Sequence, residues 1–162
     1  SRYEPLIEEK TPVIINFTVN ALDGPGLRVY PLMSTIDMTT VSFIEIFGEE
    51  VDSLALGEFS VIYDQSLINI ASIDKGAMLS YYDSPGGATP LLIAEDDNGV
   101  ININFTILEG PGLSGSGSIV RFKLIGQSAG SFTMQIINPV FRDVNTNDIP
   151  FLNPVNGQVV VE

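Results

Sequence analysis

Residues Ala55–Asp64, ALGEFSVIYD, alternate strictly. Phe59, Val61 and Tyr63 fall on one side of an extended chain, and Leu56, Glu58, Ser60 and Ile62 fall on the other. A helix cannot use a period of two, because its apolar face recurs at three and four residues. The same alternation returns in Pro12–Asn20, where Val13, Ile15, Phe17 and Val19 share a face. It returns again in Val100–Leu108, where Ile101, Ile103, Phe105 and Ile107 oppose Asn102, Asn104, Thr106 and Leu108. Thr39–Phe47 (TTVSFIEIF) and Ile119–Leu124 (IVRFKL) are rich in β-branched and aromatic residues and also read as strands. Leu27–Met33 is a short strand broken by Pro31, as an edge tolerates. Further strands are expected at Leu67–Ile73, Ala77–Tyr82, Pro90–Ala94, Gly130–Ile137, Pro139–Arg142 and Gly157–Glu162.

Turn chemistry separates these runs. Asp23-Gly-Pro-Gly26, Gln65-Ser66, Gly76, Asp83–Thr89 and Glu109–Ser118 carry Gly, Pro, Asp and Ser, and Glu95–Gly99 ends in the hairpin pair Asn98-Gly99. Gly48–Ser53 reads as an acidic loop. No window of about 11 residues sustains helical spacing with caps. The fold class predicted is all-β: an antiparallel β-sandwich with jelly-roll topology and about nine or more strands. Residues 1–11 are polar and proline-bearing and read as a linker or loose terminus, with 12–162 as a single domain.

Composition narrows function by exclusion. The chain has no Cys, His or Trp. Ser–His and Cys–His nucleophiles are therefore excluded, and zinc, haem and iron–sulfur ligation lose their usual donors. With 7 Lys plus Arg against 20 Asp plus Glu, the net charge is −13, which disfavours nucleic acid and anionic membranes as partners. No apolar run reaches the roughly 18 residues of a membrane span, so no membrane insertion is expected. SRYEPLIEEK lacks the apolar centre of a signal peptide, so a leader for export would have to precede it.

Few residues could carry chemistry. Asp143, Asn145, Asn147 and Asp148 place oxygen ligands at near-alternate positions, as calcium loops do, and are the candidate ligands for structural calcium. The run lacks the Gly and the bidentate Glu of an EF-hand, and a polar hairpin turn explains it equally. Glu95-Asp96-Asp97 is a weaker candidate, since neighbouring side chains on a strand point apart. No spacing singles out a carboxylate pair for glycoside hydrolysis. Asn16-Phe-Thr18 and Asn104-Phe-Thr106 match the glycosylation sequon, a match common by chance.

Glu58-Phe-Ser-Val-Ile-Tyr63-Asp64, then Leu67-Ile68, Ile70, Ile73 and Gly76, resembles the cohesin module of bacterial cellulosomes. Ile101–Leu108 is similar to that family's central apolar strand. Ser114–Leu124, with Gly115, Gly117 and Phe122-Lys123, resembles its glycine-led strand. Phe141-Arg-Asp143, Asp148-Ile149 and Asn156-Gly157 through Val161 resemble its closing segment. The likeness covers about Thr39 to Glu162, whereas the first 38 residues fit the family's shorter opening poorly. It implies a nine-stranded jelly roll that binds a dockerin-containing protein, the dockerin being a small calcium-loaded helical module. It also implies a secreted or cell-surface scaffold, or scaffoldin, serving polysaccharide degradation, and no enzymatic activity.

The outward residues of two strands suit such a role by their own chemistry, because amides and hydroxyls among a few aliphatics make a partly apolar recognition surface. The partner-binding candidates are Leu56, Glu58, Ser60, Ile62, Asn102, Asn104 and Thr106, with Leu92 and Ala94 expected on the same face. By the resemblance, Leu56 stands where an Asn is common, and Glu58 keeps a carboxylate. The competing expectations are a carbohydrate-binding sandwich with an aromatic platform of Tyr30, Tyr81 and Tyr82, and a structural or adhesin spacer domain.

Overall fold

The structure, a computed structural model, describes residues 24–81, 90–151 and 153–162. The strand expected at Pro12–Asn20, the linker at 1–11 and the loop at Asp83–Thr89 lie outside the described residues. Among the described residues there are ten strands and one helical turn: β1 (Gly26–Tyr30), β2 (Met33–Ile36), β3 (Val41–Ile62), β4 (Ile68–Lys75), α1 (Ala77–Ser80), β5 (Leu91–Asp97), β6 (Val100–Thr106), β7 (Leu113–Gly126), β8 (Gly130–Asp143), β9 (Asp148–Ile149) and β10 (Gly157–Val161).

β3 organises the molecule, because its two halves belong to two layers. Its first half pairs with β1 and β7, and β7 pairs in turn with β4. Its second half pairs with β6 and β8, continuing to β5 on one side and through β10 to β2 on the other. The segment read from sequence as an acidic loop, Gly48–Ser53, is the stretch where β3 passes between layers. It stays extended because Val51 is buried and pairs with Gly115, while Glu50 and Ser53 take φ values of 48° and 53° in the register shifts around it. Such bulges bend a strand without ending it. Ser116 and Ser114 accept hydrogen bonds from the Glu50 and Ser53 backbone N–H groups at 2.9 and 3.0 Å, satisfying donors that the bulges free. The Gly/Ser-rich run is correspondingly strand from Leu113 onward.

The all-β sandwich prediction holds, with corrections in detail. The sheet is not purely antiparallel, since β10 runs parallel to β2. Ala77–Ser80 forms a helical turn rather than a strand. Gly76 approaches β7 so closely that a Cβ there would lie 2.2–2.4 Å from Ser118 atoms, and the chain turns as it leaves this contact. Gly130–Ile137 and Pro139–Arg142 form one strand, β8, whose bulge falls at Asn138 (φ 53°). The poorly fitting opening supplies β1 and β2, one strand to each layer, with the switch at the Pro31 noted from sequence.

Between the layers lies one core. Phe59, Phe105, Phe141, Ile44, Ile46, Phe122 and Leu124 belong to a single buried cluster. The Phe105 and Phe141 rings meet edge to face at 5.3 Å, and Phe141 meets Phe151 in the same way at 4.5 Å.

Candidate docking face

The second half of β3 is flanked by β6 and β8, with β5 beyond β6. Its alternation sends Phe59, Val61 and Tyr63 into the core and turns Leu56, Glu58, Ser60 and Ile62 outward. Cross-strand register then sets these residues in rows. Leu56 is flanked by Arg142 and Thr106, with Leu91 beyond. Glu58 is flanked by Val140 and Asn104, with Ile93 beyond. Ser60 is flanked by Ile137 and Asn102, with Glu95 beyond. All seven sequence-predicted residues thus sit on one outer sheet face.

The centre of the face is polar. Ser60 donates its hydroxyl hydrogen to Asn102 Oδ1 at 2.7 Å. Glu58, Ser60, Asn102, Asn104 and Asn138 line a shallow depression of about 170 Å³. Among the described residues Glu58 forms no ion pair, and neither Glu58 nor Asn104 has a side-chain hydrogen bond. Arg142, at the margin, is paired with Asp148 at 3.2 Å. The flanks are apolar, with Leu91 and Ile93 each 50% exposed on one side and Val140 38% exposed on the other. An apolar frame around exposed polar groups suits the docking of a partner.

Sequence reasoning missed Leu91, Ile93 and Val140. Leu92 and Ala94, expected on this face, point the other way and pack against the core. The signal was present in the Asn98-Gly99 turn. With φ values of 51° and 92°, it forms a two-residue hairpin that pairs Asp97 with Val100, and counting outward places Ile93 beside Asn104.

The calcium candidates form a capped turn. Asp143 Oδ1 accepts the backbone N–H groups of Asn145 and Asn147 at 2.8 and 2.9 Å, and Oδ2 accepts Asn147 Nδ2 at 3.3 Å. These bonds, led by the Asn147 backbone N–H, hold the Asp143 carboxyl below its ordinary value. Asp148 faces Arg142 instead. No cluster of three or more His, Cys, Asp or Glu side chains suited to a metal occurs among the described residues. Asp96, from the weaker acidic candidate, accepts the Tyr63 hydroxyl and the Gly99 N–H. Tyr30 and Tyr81 of the expected aromatic platform fall on separate segments. Tyr30 lies on β1 against Phe47, Tyr81 follows α1, and Tyr82 lies outside the described residues.

No protein-family model matches the sequence, and no curated protein matches it. Solved structures do match. A non-cellulosomal cohesin from the archaeon Archaeoglobus fulgidus superposes with a TM-score of 0.70 at 12% identity, over 85% of this chain and 90% of that one. The sixth cohesin of scaffoldin B from Acetivibrio cellulolyticus superposes at 0.69 and 17% identity, over 86% of this chain and 100% of that one. The fold is that of a cohesin module. A type II cohesin from the cellulosome of Acetivibrio cellulolyticus agrees, at 0.66 and 10% identity over 83% of this chain and 94% of that one. The scaffoldin B cohesin was solved in complex with a dockerin. At these identities the cohesin likeness resides in the backbone path, and the side chains on the face are this chain's own.

Proposed function

We propose that this chain is a non-catalytic docking module that captures a dockerin-type helical partner on the outer face of β5, β6, β3 and β8. The observation that carries this reading is the exposed face itself. Among the described residues Glu58 and Asn104 stand there without side-chain partners, framed by Leu91, Ile93 and Val140. A free carboxylate and amide inside an apolar rim suit a helix that brings a cation or hydroxyl to the centre and aliphatic side chains to the edges. The cohesin fold, and the solution of several such modules with dockerins bound, support the choice of partner. Leu56, where an Asn is common in cohesins, shifts this chain's preference toward a partner with an apolar side chain at that point. A secreted or cell-surface scaffold is the setting this role requires.

The test is calorimetric titration with dockerin modules, with calcium and after its removal from the partner by chelation. Glu58→Lys and Asn104→Arg should each weaken capture by about tenfold or more, because each places a bulky cation at the contact centre. Thermal stability should stay nearly unchanged, since both side chains are exposed. Full affinity in both variants would remove this face from consideration.

A further inference from the structure

The opposite side of the sandwich carries a second, chemically different surface. On the outer face of the layer formed by β1, the first half of β3, β7 and β4, the register sets Phe43 beside Lys123 and Val41 beside Ile125. Ser72 and Asn69 of β4 complete these two rows, and Ser72 donates its hydroxyl hydrogen to the Asp74 carboxylate of the next row at 2.9 Å. Val41 and Phe43 are 43% and 44% exposed, an unusual display for large apolar residues on adjacent outward positions.

Arg121 sits one row away, with Glu45 and Asp74 directly across from it on the neighbouring strands. It pairs with neither. Its guanidinium lies over the Phe43 ring, 3.7 Å from the centroid, on the row that Phe43 shares with Lys123. Among the described residues Lys123 also forms no ion pair. Two cations without carboxylate partners are conspicuous in a chain of net charge −13.

Stacking has a chemical consequence. A guanidinium held over a ring has lost much of its rotamer freedom, so it meets a carboxylate through forked N–H groups at reduced entropic cost. The same stacking covers the Phe43 face that a sugar ring would need. We infer that Val41, Phe43, Arg121, Lys123 and Ile125 form a docking site for an acidic peptide segment of a partner protein, its carboxylates on Arg121 and Lys123 and an aliphatic side chain over Val41 and Ile125.

The experiment is fluorescence anisotropy of a labelled peptide alternating Glu with Leu, titrated with the intact chain at low and high salt. A peptide alternating Lys with Leu, and polygalacturonate as competitor, serve as controls. The acidic peptide should bind, the basic one should not, and affinity should fall with salt. Arg121→Glu and Lys123→Glu should each weaken binding by about tenfold or more, and Glu109→Gln, in the exposed loop between β6 and β7, should leave it unchanged. Circular dichroism and thermal melting of each variant establish that the fold is kept, and Lys123→Gln, a milder change at an exposed position, provides the reading if a charge reversal unfolds the chain. Absence of peptide binding, or equal binding by the variants, overturns the inference. Displacement of the peptide by polygalacturonate, with tighter binding of the polysaccharide, overturns it in favour of an acidic glycan.

Discussion

Tyr63 shows how one side chain can serve fold and site together. Its ring is buried at the end of β3, its backbone N–H donates to the Gly99 carbonyl, and its hydroxyl donates to Asp96 on β5. The residue thereby ties the central strand of the docking face to the outer strand that carries Leu91 and Ile93. Burial, then the hydrogen bond and negative charge of Asp96, raise the phenol above its ordinary value of 10.0. A raised folded value means that the stabilisation is fully present below the unfolded value and is lost as pH climbs toward the folded one. Tyr63→Phe should cost about 1 kcal/mol at neutral pH, a modest figure because Asp96 is exposed and water can replace the lost donor. The variant should also lose the decline in stability above about pH 10 that the parent shows. Urea unfolding across that range checks both outcomes, and an identical alkaline decline in the two proteins would count against the bond.

At the scale of elements, β3 carries the argument. The inward positions of its second half, Phe59 and Val61, were legible from alternation alone, because a buried sheet face imposes period two on side chains. Its length was not. Gly48–Ser53 is rich in acids and reads as a loop, yet buried Val51 and the serines of β7 keep it within the strand through two bulges. Gly57 makes the docking face flat from beneath. A Cβ there would lie 2.5 Å from one Phe105 ring atom and 2.9 Å from one of Phe141, so only glycine lets those rings pack directly under Leu56 and Glu58. Gly57→Ala should therefore destabilise the fold by about 1–3 kcal/mol through overpacking, and should weaken partner capture although no contacting side chain is changed. Chemical denaturation and calorimetric titration on the same sample would test this, and an unchanged midpoint would show that the rings can move aside.

For the whole molecule, one core joins the two layers, and it separates two outer faces of different character. One offers a free carboxylate and amide, and the other offers stacked and unpaired cations. Phe141 stands where β8 meets β3 and β9, touching Phe59, Phe105 and Phe151. Phe141→Ala should cost about 3–5 kcal/mol, with both layers lost in one transition because, among the described residues, a single buried cluster holds both. Far-ultraviolet dichroism and tyrosine fluorescence should trace the same unfolding curve, and two separated curves would mean that the layers unfold independently. The sequence by itself determined the strand class, the buried set along the second half of β3 and along β6, and which side chains of these stretches face outward, since alternation is a local property of an extended chain. Only the tertiary structure decided that β5 and β8 bring Ile93 and Val140 beside Glu58. It also decided that β3 spans both layers and that Arg121 turns from two carboxylates to Phe43. Register, bulges and cross-strand neighbours are set by contacts between residues far apart in the chain, which no local pattern encodes.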